Sequence, residues 1–475
     1  MVAPRKTPRF PTLPDASDPV AINNALLNHF FPPKDSLPNS GRLTRNPSAV
    51  PLTKEEVKVA LSKSSPFSTP GPDGILYSVW KKGNLVNPSI ILELLSPLVA
   101  FGYHPPSVKN ANGVVFDKRS KPSYDSPASF RIIVLLKTIS KILERVMTVM
   151  LAAIAKSKVP LPPNQGGSLP GLSAAEACLT LTHEIKTLQR PRLKVSTVLL
   201  DIKAGFDNVN ASTLRARLLA SQVPTYMVDW VSSFLSERTC TLVFHGAPNH
   251  SSPVSVGTPQ GSPISPLLFL LYLASLHRLI PKGLMVSYVD DFSITVASSS
   301  YRANVHRLQE LFSTISAKGG DIVLSFSVPK TELVHWRTPS QRTPPSTAPI
   351  ELDGHLFHLS KVVKWVGYWF TPALSPIHHF GHRLSLAQGI CSFVKRHSSR
   401  GAGVRPFLCH RIATGLLLPI LKYGADLLTP SYTSPRGMNS FWHRVQMWTT
   451  NTFVSTPTSI LAREACLPPI ISYCR

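Results

Sequence analysis

The stretch LMVSYVDDFSIT, residues 284–295, places two adjacent aspartates inside an otherwise strand-like run. Alternating side-chain types on both sides of Asp290 and Asp291 predict two short strands joined by a tight turn. Both carboxylates then lie at or beside the turn, where two like charges repel each other. Taken alone, such a pair is most often the solvated corner of a hairpin. Other segments of the chain must decide whether it has a chemical role.

The charge balance of the chain indicates a polyanionic partner. Fifty Lys and Arg against 25 Asp and Glu in 475 residues give a formal net charge of +25, which is typical of proteins that bind nucleic acid or an anionic membrane surface. The longest apolar stretch, LLFLLYLASL at 267–276, is too short to span a bilayer. The N-terminal segment lacks the apolar core of a secretory signal. We therefore expect nucleic acid as the partner, no membrane association and an intracellular location.

The six cysteines are scattered without a C-x-x-C pair. This spacing favours a reducing compartment over a disulfide framework or a closed zinc site.

Composition and periodicity divide the chain into three parts. Residues 1–51 contain ten prolines and predict a largely extended arm with one short helix near 20–30. From 355 onward, 13 Lys and Arg stand against two acids in helical patterns, which predicts a basic helical module. The middle is mixed: helices from about 54, after a capping box of Thr53 and Glu56, and from about 137. Further elements are helices over 210–221, 224–237 and 301–318, paired strands over 240–246 and 252–257, and a Pro-rich loop at 338–349.

A third carboxylate follows a predicted buried strand. KVSTVLLD at 194–201 is continuous and rich in β-branched residues, so we expect a central strand that ends at Asp201. If this strand neighbours the hairpin, Asp201, Asp290 and Asp291 converge and repel one another. A hard cation such as Mg²⁺, which prefers carboxylate oxygens together with substrate phosphates, removes the conflict. Two such ions form the usual site for phosphoryl transfer.

A glycine-flanked glutamine lies between these acids in the sequence. In GTPQGSPISPLLF, residues 257–269, Ser265 is a predicted N-cap and Pro266 a predicted first helical residue. A simple loop before a buried helix explains both, but it does not explain Gln260 between Gly257 and Gly261. The glycines permit close approach of the backbone to a ligand.

These segments together resemble a reverse transcriptase of a non-LTR (LINE-like) retrotransposon. LLDIKAGFDNV, GTPQGSPISPLLF, YVDD, VPKTELVHW and VVKWVGYWF are similar, in this order, to the palm motifs of that family. STPGPDGI, SFRIIVLLKTISKILERVM and NQGGSLPGLSAAEA resemble its fingers segments, and LPILKYGADL a helix of its thumb. The resemblance implies an α+β right-hand polymerase with an antiparallel palm sheet. It implies a Pro-rich arm at 1–50, fingers and palm at 51–372, and a basic all-helical thumb at 373–475.

The resemblance also implies roles for single residues. Asp201 and Asp290, with the backbone carbonyl of Ile202, would bind two Mg²⁺ ions, with Mn²⁺ as the alternative, and Asp291 would be the second acid of the catalytic hairpin. The nucleotide site would comprise four residues. Phe206 would exclude a 2′-OH, and Gln260 would line the nucleotide pocket. Arg131 and Lys330 would contact the triphosphate. Looser candidates for template or triphosphate contacts are Lys118 and Lys121. We assign Asp207 to helix capping.

Some positions depart from the family pattern. RIIV at 131–134 stands where R-P-I-S is common, Ser168, Leu169 and Leu172 replace aromatic or basic residues, and Gly205 replaces the more usual alanine. These changes predict altered fingers detail and efficiency, and they are consistent with decay of an element copy. No carboxylate is affected.

The resemblance implies an RNA-directed DNA polymerase that extends a primer 3′-OH with dNTPs. Its partners would be an RNA template, a DNA primer or target, and dNTPs, with the nucleus as the site of action. The alternatives are a group II intron-like reverse transcriptase or maturase, and a catalytically decayed nucleic-acid-binding remnant. Because residues 1–50 leave no room for an endonuclease, we expect a fragment, a truncated copy or one piece of a polyprotein. The sequence predicts no oligomeric state.

Overall fold

The computed structural model describes residues 13, 18–32, 44–118, 123–159, 161–169, 173–244, 250–281, 284–321, 325–327, 330–338, 350–352, 355–357, 359–397, 404–427, 436–453 and 455–473. The chain divides into two compact units. Unit 1 comprises Met1–Leu169, Ile202–Leu279 and Thr314–Phe326, and unit 2 comprises Pro170–Asp201, Ile280–Ser313 and Ser327–Arg475. The boundaries at 50 and 372 concern functional parts of a polymerase and stay predictions.

The helices and strands follow one another in mixed order. The α-helices are α1 (Pro19–Phe30), α2 (Lys54–Ser62), α3 (Tyr77–Val86), α4 (Ile90–Ala100), α5 (Thr138–Lys158), α6 (Ala174–Leu188), α7 (Ala211–Ala220), α8 (Thr225–Leu235), α9 (Ser265–His277), α10 (Tyr301–Asp321), α11 (Ile377–His397), α12 (Pro406–Ile412), α13 (Leu418–Lys422), α14 (Arg436–Thr450) and α15 (Thr458–Glu464). The strands are β1 (Asn110–Asp117), β2 (Phe130–Leu136), β3 (Gln165–Gly166), β4 (Lys194–Asp201), β5 (Arg238–Val243), β6 (Ser251–Val254), β7 (Met285–Tyr288), β8 (Asp291–Ser298), β9 (Glu332–Trp336), β10 (Ile350–Leu352), β11 (His355–Phe357), β12 (Val363–Trp365) and β13 (Tyr368–Phe370).

Unit 1 contains a four-stranded sheet in the order β2-β1-β5-β6. β1 is antiparallel to β2 and parallel to β5, and β5 pairs with β6 as predicted. The apolar side of α1 packs against this sheet, with Leu26 and Phe30 in one core with Ile132, Val134 and Leu242. The short helix predicted near 20–30 is therefore confirmed as part of a packed core. The rest of the predicted arm lies largely outside the described residues.

The predicted helices of unit 1 are confirmed where they are described. α2 begins at the expected capping box, in which Glu56 N donates to Thr53 Oγ1 at 3.2 Å and Thr53 N to Glu56 Oε2 at 2.9 Å. This exchange satisfies two amides that the first helical turn leaves without partners. The helix predicted from about 137 is α5, and those predicted over 210–221 and 224–237 are α7 and α8.

Unit 2 contains an antiparallel sheet in which β8, β4 and β9 are successive neighbours and β7 pairs with β8. β4 is central, and Val195 to Leu200 are all buried, which confirms the buried strand predicted there. One face of the sheet packs against α6 and the β12–β13 hairpin, with Trp336, Trp365 and Tyr368 in its core. The helix predicted over 301–318 is α10.

The chain after β13 is helical throughout its described part, as predicted. α11 to α15 enclose a core that includes Phe380, Leu417, Leu421 and Trp442. A π-helical turn, Ala413–Leu417, separates α12 from α13. The Pro-rich loop predicted at 338–349 lies outside the described residues after 338.

Two further observations concern membranes and cysteines. In the described part of the chain no single helix is long and apolar enough to cross a membrane, and only α3 and α4, bent by 107°, pass that test as a pair. Among the described residues, Cys178, Cys240, Cys391, Cys409 and Cys466 form no disulfide.

Candidate functional site

The hairpin of residues 284–295 is formed as the sequence predicts. Tyr288 pairs with Asp291, so Val289 and Asp290 form the turn between β7 and β8. Val289 has φ +57°, a left-handed backbone conformation that is a rare outlier for a β-branched residue. Strain of this kind persists only where the surrounding structure holds it, and it clusters at functional sites.

The sheet of unit 2 brings the three predicted aspartates together. In the register of β4 and β8, Asp201 lies directly opposite Asp291, and directly opposed residues of an antiparallel pair carry their side chains on the same face. Asp290 precedes Asp291 in the turn. We call Asp201, Asp290 and Asp291 the carboxylate cluster. Lys330 reaches it from the segment before β9, with Nζ 2.9 and 2.8 Å from the two carboxylate oxygens of Asp201.

The carboxylate cluster carries more negative charge than its surroundings balance. Burial, followed by repulsion from Asp290 and Asp201, raises the pKa of Asp291 to about 7. Burial is also the main cause of the raised pKa of Asp290, with Asp201 adding to it and Lys330 opposing it. The ammonium groups of Lys330 and Lys364 oppose the rise in the pKa of Asp291 without cancelling it, so the cluster is short of positive charge.

The donor chemistry of the carboxylate cluster fits a hard divalent cation. Three carboxylates supply the oxygen ligands that Mg²⁺ prefers, and the raised pKa values of Asp290 and Asp291 indicate that more positive charge would stabilise their ionised forms. Within the described ranges, no three His, Cys, Asp or Glu side chains already surround one point. The ammonium group of Lys330 instead contacts both oxygens of Asp201.

Gln260 lies in unit 1, in a loop that we call the glutamine loop (257–263). Its Nε2 donates to Asp207 Oδ1 at 2.8 Å, and its carbonyl accepts from Val134 N at 2.7 Å. Gly257 and Gly261 have φ +73° and +128°, and an added Cβ would lie 2.7 Å from Asp207 O and 2.6 Å from Val134 O, respectively. The close approach predicted for the two glycines is therefore made to the backbone of the chain itself.

The predicted capping role of Asp207 is wrong. α7 is capped by Asn210, whose side chain accepts from Thr213 N, whereas Asp207 lies in a 3₁₀ turn, Phe206–Asn208. Burial raises the pKa of Asp207 to about 6, while the hydrogen bond from Gln260 lowers it. Asp207 holds the side chain of Gln260 in place, a contact between residues 53 positions apart.

The predicted N-cap of α9 is also wrong. Ser265 is the first helical residue rather than the cap, and its buried Oγ is without a hydrogen-bond partner among the described residues. Ser262 supplies the local contact instead, because its Oγ accepts from Ile264 N at 3.3 Å. Pro266 still lies in the first turn of the helix, where its missing N–H costs nothing.

A buried acid that the sequence did not reveal fixes the glutamine loop. Glu144 of α5 is fully buried and accepts hydrogen bonds from Ser262 Oγ and, at 2.7 Å, from Ser140 Oγ. Burial raises the pKa of Glu144, and the two serine hydroxyls lower it. Contacts between segments this far apart leave no periodic signal in the sequence.

Phe206 is held by an aromatic ring of α9. Its ring stacks on Phe269 with centroids 4.7 Å apart. A Cβ on Gly205 would lie 2.6 Å from Phe269 Cζ, so the glycine that departs from the family pattern leaves room for this ring. The main chain of Phe206 also accepts a hydrogen bond from Thr258 N at 2.8 Å, which ties it to the glutamine loop.

The other predicted residues are dispersed in unit 1. Arg131 is exposed on β2. Because side chains alternate along a strand, Arg131 and Val134, three positions apart, lie on opposite faces of β2. Lys118 Nζ donates to the Ala128 carbonyl at 2.9 Å. Ile202 is buried and forms an isolated bridge with Phe326. Lys121 lies outside the described residues. The roles assigned to these residues stay predictions.

Comparison with known proteins identifies the family. A family model described as reverse transcriptase (RNA-dependent DNA polymerase) matches residues 117–370. The probable RNA-directed DNA polymerase from transposon BS of Drosophila melanogaster is 26% identical over 348 residues, which cover 72% of this chain and 38% of that protein. The putative 115 kDa protein in type-1 retrotransposable element R1DM, from the same organism, is 24% identical over 406 residues, which cover 85% and 38%. The chain thus spans well under half the length of either relative.

Among solved structures, apo telomerase from Candida tropicalis truncated from the C-terminal domain aligns with a TM-score of 0.38 and 15% identity, covering 63% of this chain and 60% of that one. The predicted α+β polymerase class agrees with the family match and the antiparallel sheet of unit 2. Since the family model matches more than half of its residues, the chain belongs to the reverse transcriptase (RNA-dependent DNA polymerase) family.

Proposed function

We propose that this chain is an RNA-directed DNA polymerase of a non-LTR retrotransposon. The observation that carries the proposal is the register of β4 and β8, which sets Asp201 opposite Asp291 and beside the turn residue Asp290. In the proposed reaction the primer 3′-oxygen forms a bond to the α-phosphorus of a dNTP. The bond from that phosphorus to the bridging oxygen breaks, pyrophosphate leaves, and the hydroxyl proton passes to solvent.

The carboxylate cluster would hold the divalent ions. Asp201 and Asp290, with the carbonyl of Ile202, are the proposed ligands of two Mg²⁺ ions, with Mn²⁺ as the alternative, and Asp291 adds negative charge beside them. When bound, the ions neutralise charge on the attacking and leaving oxygens. With Asp201 engaged by an ion, Lys330 would be available to the triphosphate.

The residues of unit 1 would select and orient the nucleotide. The ring of Phe206, held by Phe269, excludes a 2′-OH, so dNTPs are preferred to NTPs. Gln260 lines the nucleotide site in an orientation fixed by Asp207. Arg131 offers the planar donor pair that suits phosphate oxygens, and further template or triphosphate contacts are proposed for Lys118 and Lys121.

The net charge of +25 supports binding of an RNA template and a DNA primer or target. The relatives' names, which refer to transposons and retrotransposable elements, favour a non-LTR element over a group II intron. An element that copies itself into chromosomal DNA acts where that DNA is, so we place the activity in the nucleus.

Primer extension tests the proposal. The purified chain is given a DNA primer annealed to an RNA template, dNTPs and Mg²⁺, and the initial rate is compared with that of Asp290→Ala. We expect extension by the wild type and a loss on the order of 10³-fold in the variant, because an electrostatic contact to the transition state is removed. Glu464→Ala, which removes an exposed acid of α15 in the same unit, is the matched control and should keep the wild-type rate.

Equal rates for the wild type and Asp290→Ala would overturn the proposal. Absence of extension by the wild type would favour the decayed, nucleic-acid-binding remnant instead.

A further inference from the structure

Unit 1 contains a positively charged cavity that the proposed reaction does not use. Its volume is about 200 Å³, and it lies where the ends of α5, α7 and α9 meet. Lys158, Arg217 and Arg278 line it together with the hydroxyl residues Ser221 and Ser275, and none of its lining residues, all in the described part of the chain, is acidic. A water molecule occupies about 30 Å³ in the liquid, so the cavity has room for a larger polar group.

Helix ends explain part of this charge but not all of it. Lys158 is the last residue of α5, Arg278 directly follows α9, and α7 ends at Ala220. Each helix C-terminus carries roughly −0.5 charge, which a nearby cation offsets. The three helix C-termini together offset about half of the positive charge of Lys158, Arg217 and Arg278. The cavity therefore keeps a net positive charge that would attract an anion.

Arg217 is preorganised at the wall of the cavity. Its guanidinium lies 5.1 Å from the centre of the Tyr272 ring and donates to the carbonyl of the same residue. Burial, followed by repulsion from Arg278, lowers its pKa, and Tyr272 opposes this shift. A guanidinium has five N–H donors, so one contact to a carbonyl leaves several donors for a ligand.

The other two cations are exposed at the rim. Lys158 and Arg278 both lie on the surface, and among the described residues neither forms an ion pair. A fixed, half-buried guanidinium, two adaptable cations and two hydroxyls together supply many hydrogen-bond donors, with no acidic residue beside them in the lining. This is the donor chemistry that phosphate oxygens accept.

We propose that this cavity binds a backbone phosphate of a nucleic-acid strand. The strand would be the RNA partner of the proposed polymerase, so the inference rests on that function for its ligand. The cavity is distinct from the Phe206 and Gln260 region, because Ser275 lies six residues beyond Phe269 on α9, roughly 9 Å along the helix axis. It therefore adds a second anchor for the strand.

The salt dependence of RNA binding tests the proposal. A fluorescent single-stranded homopolymer RNA is titrated with protein over a range of salt concentrations, without metal or nucleotides, and the log–log slope is read by anisotropy. For Lys158→Ala/Arg278→Ala we expect weaker binding and a slope shallower by about 0.7 for each phosphate that the variant no longer neutralises. Lys54→Ala/Lys63→Ala removes two exposed cations of the same unit, the first residue of α2 and the residue that follows it. This control changes the net charge equally and should keep the wild-type slope.

An unchanged slope in the cavity variant, or an equal change in both variants, would overturn the proposal. The alternative ligand is a free anion. It is tested by comparing the thermal midpoints of the protein in inorganic phosphate and in chloride at matched ionic strength. Stabilisation by inorganic phosphate that the cavity variant loses, with an unchanged RNA slope, would mean a free anion and would also overturn it. If the alanine variant does not fold, Lys158→Gln/Arg278→Gln replaces it.

The two proposals fail separately. A chain that extends no primer but shows the slope difference contradicts only the polymerase. A chain that extends a primer with unchanged slopes contradicts only the cavity.

Discussion

Asp201 and Asp207 are six residues apart in one motif, yet they belong to regions of opposite character. Asp201 ends β4 in the carboxylate cluster of unit 2, and its only described cationic partner is Lys330, whose side chain is 63% exposed. Asp207, in unit 1, is bonded to Gln260, which the glutamine loop fixes in turn. The carboxylate of Asp201 lies among other acids and has an exposed, displaceable partner in Lys330. The carboxylate of Asp207 lies in a packed hydrogen-bond network.

The difference separates two tasks. The carboxylate cluster is electrostatically incomplete, as the raised pKa values of Asp290 and Asp291 indicate, which supports the cation binding proposed for it. The region of Phe206 and the glutamine loop is complete before any ligand arrives, through the Phe269 stack and the buried Glu144. Preorganised contacts of this kind would lower the cost of the nucleotide binding proposed for this region, because no side chain has to be ordered on binding.

The largest effect on the packed region is expected from removing the ring of Phe206. Phe206→Ala should raise the kcat/KM for a ribonucleotide relative to its deoxy counterpart by about 10- to 200-fold, the range available to a steric pocket. Incorporation of the two nucleotides opposite the same RNA base measures the ratio. An unchanged ratio would show that Phe206 does not discriminate at the sugar.

Gly205→Ala sharpens this test because it leaves Phe206 itself intact. The new Cβ would lie 2.6 Å from Phe269 Cζ, so the ring must shift, at a cost of about 1–3 kcal/mol in the free energy of unfolding. We expect a lower thermal midpoint and a smaller change of the nucleotide ratio in the same direction as Phe206→Ala. A lower midpoint with an unchanged ratio would mean that Phe269 does not position Phe206.

The next effect concerns Asp207 and pH. Its pKa rises from 3.8 to about 6 on folding. Between pH 3.8 and about 6, the folded state therefore keeps a proton on Asp207 that the unfolded state has lost. The carboxylate therefore destabilises the fold increasingly as pH rises through this window, by up to about 3 kcal/mol above it. Asp207→Asn should be more stable than the wild type near neutral pH, and the gain should vanish as pH falls towards 3.8.

Thermal midpoints measured across that pH range check this prediction. Asp125→Asn, at an exposed aspartate of the same unit, is the matched control for the loss of one carboxylate. A constant difference between Asp207→Asn and the wild type would contradict the assigned cause.

The smallest effect is expected from Lys330 in the absence of nucleotide. In the proposed metal site its ammonium group would compete with a divalent ion for Asp201. Lys330→Met should therefore tighten binding of Mn²⁺ by roughly 1.5- to 5-fold, the worth of an exposed ion pair. Free Mn²⁺ measured by electron paramagnetic resonance gives the affinity. Lys361→Met, at another exposed lysine of unit 2, is the control, and weaker binding in Lys330→Met would contradict the competition.

The sequence was sufficient where periodicity and order decide the structure. The alternation around Asp290 and the apolar run before Asp201 predict the strands themselves, and the structure shows β4 and β8 to be neighbours whose register brings the acids together. The sequence was insufficient for contacts between distant polar groups. Asp207 meets Gln260, and Glu144 meets Ser262, across 53 and 118 positions. Such pairs have no repeat in the chain, so the sequence alone favours a capping role for Asp207 that the structure gives to Asn210.

The same amide substitution at the two aspartates tests the central claim most directly. Incorporation of a single dNTP on an RNA template with Mg²⁺ is measured in parallel for Asp201→Asn and Asp207→Asn. We predict a loss on the order of 10³-fold for Asp201→Asn, which removes a ligand and a charge, and a loss below about 10-fold for Asp207→Asn, whose amide oxygen still accepts from Gln260. Equal losses, or a greater loss at Asp207, would contradict the assignment of catalysis to the carboxylate cluster.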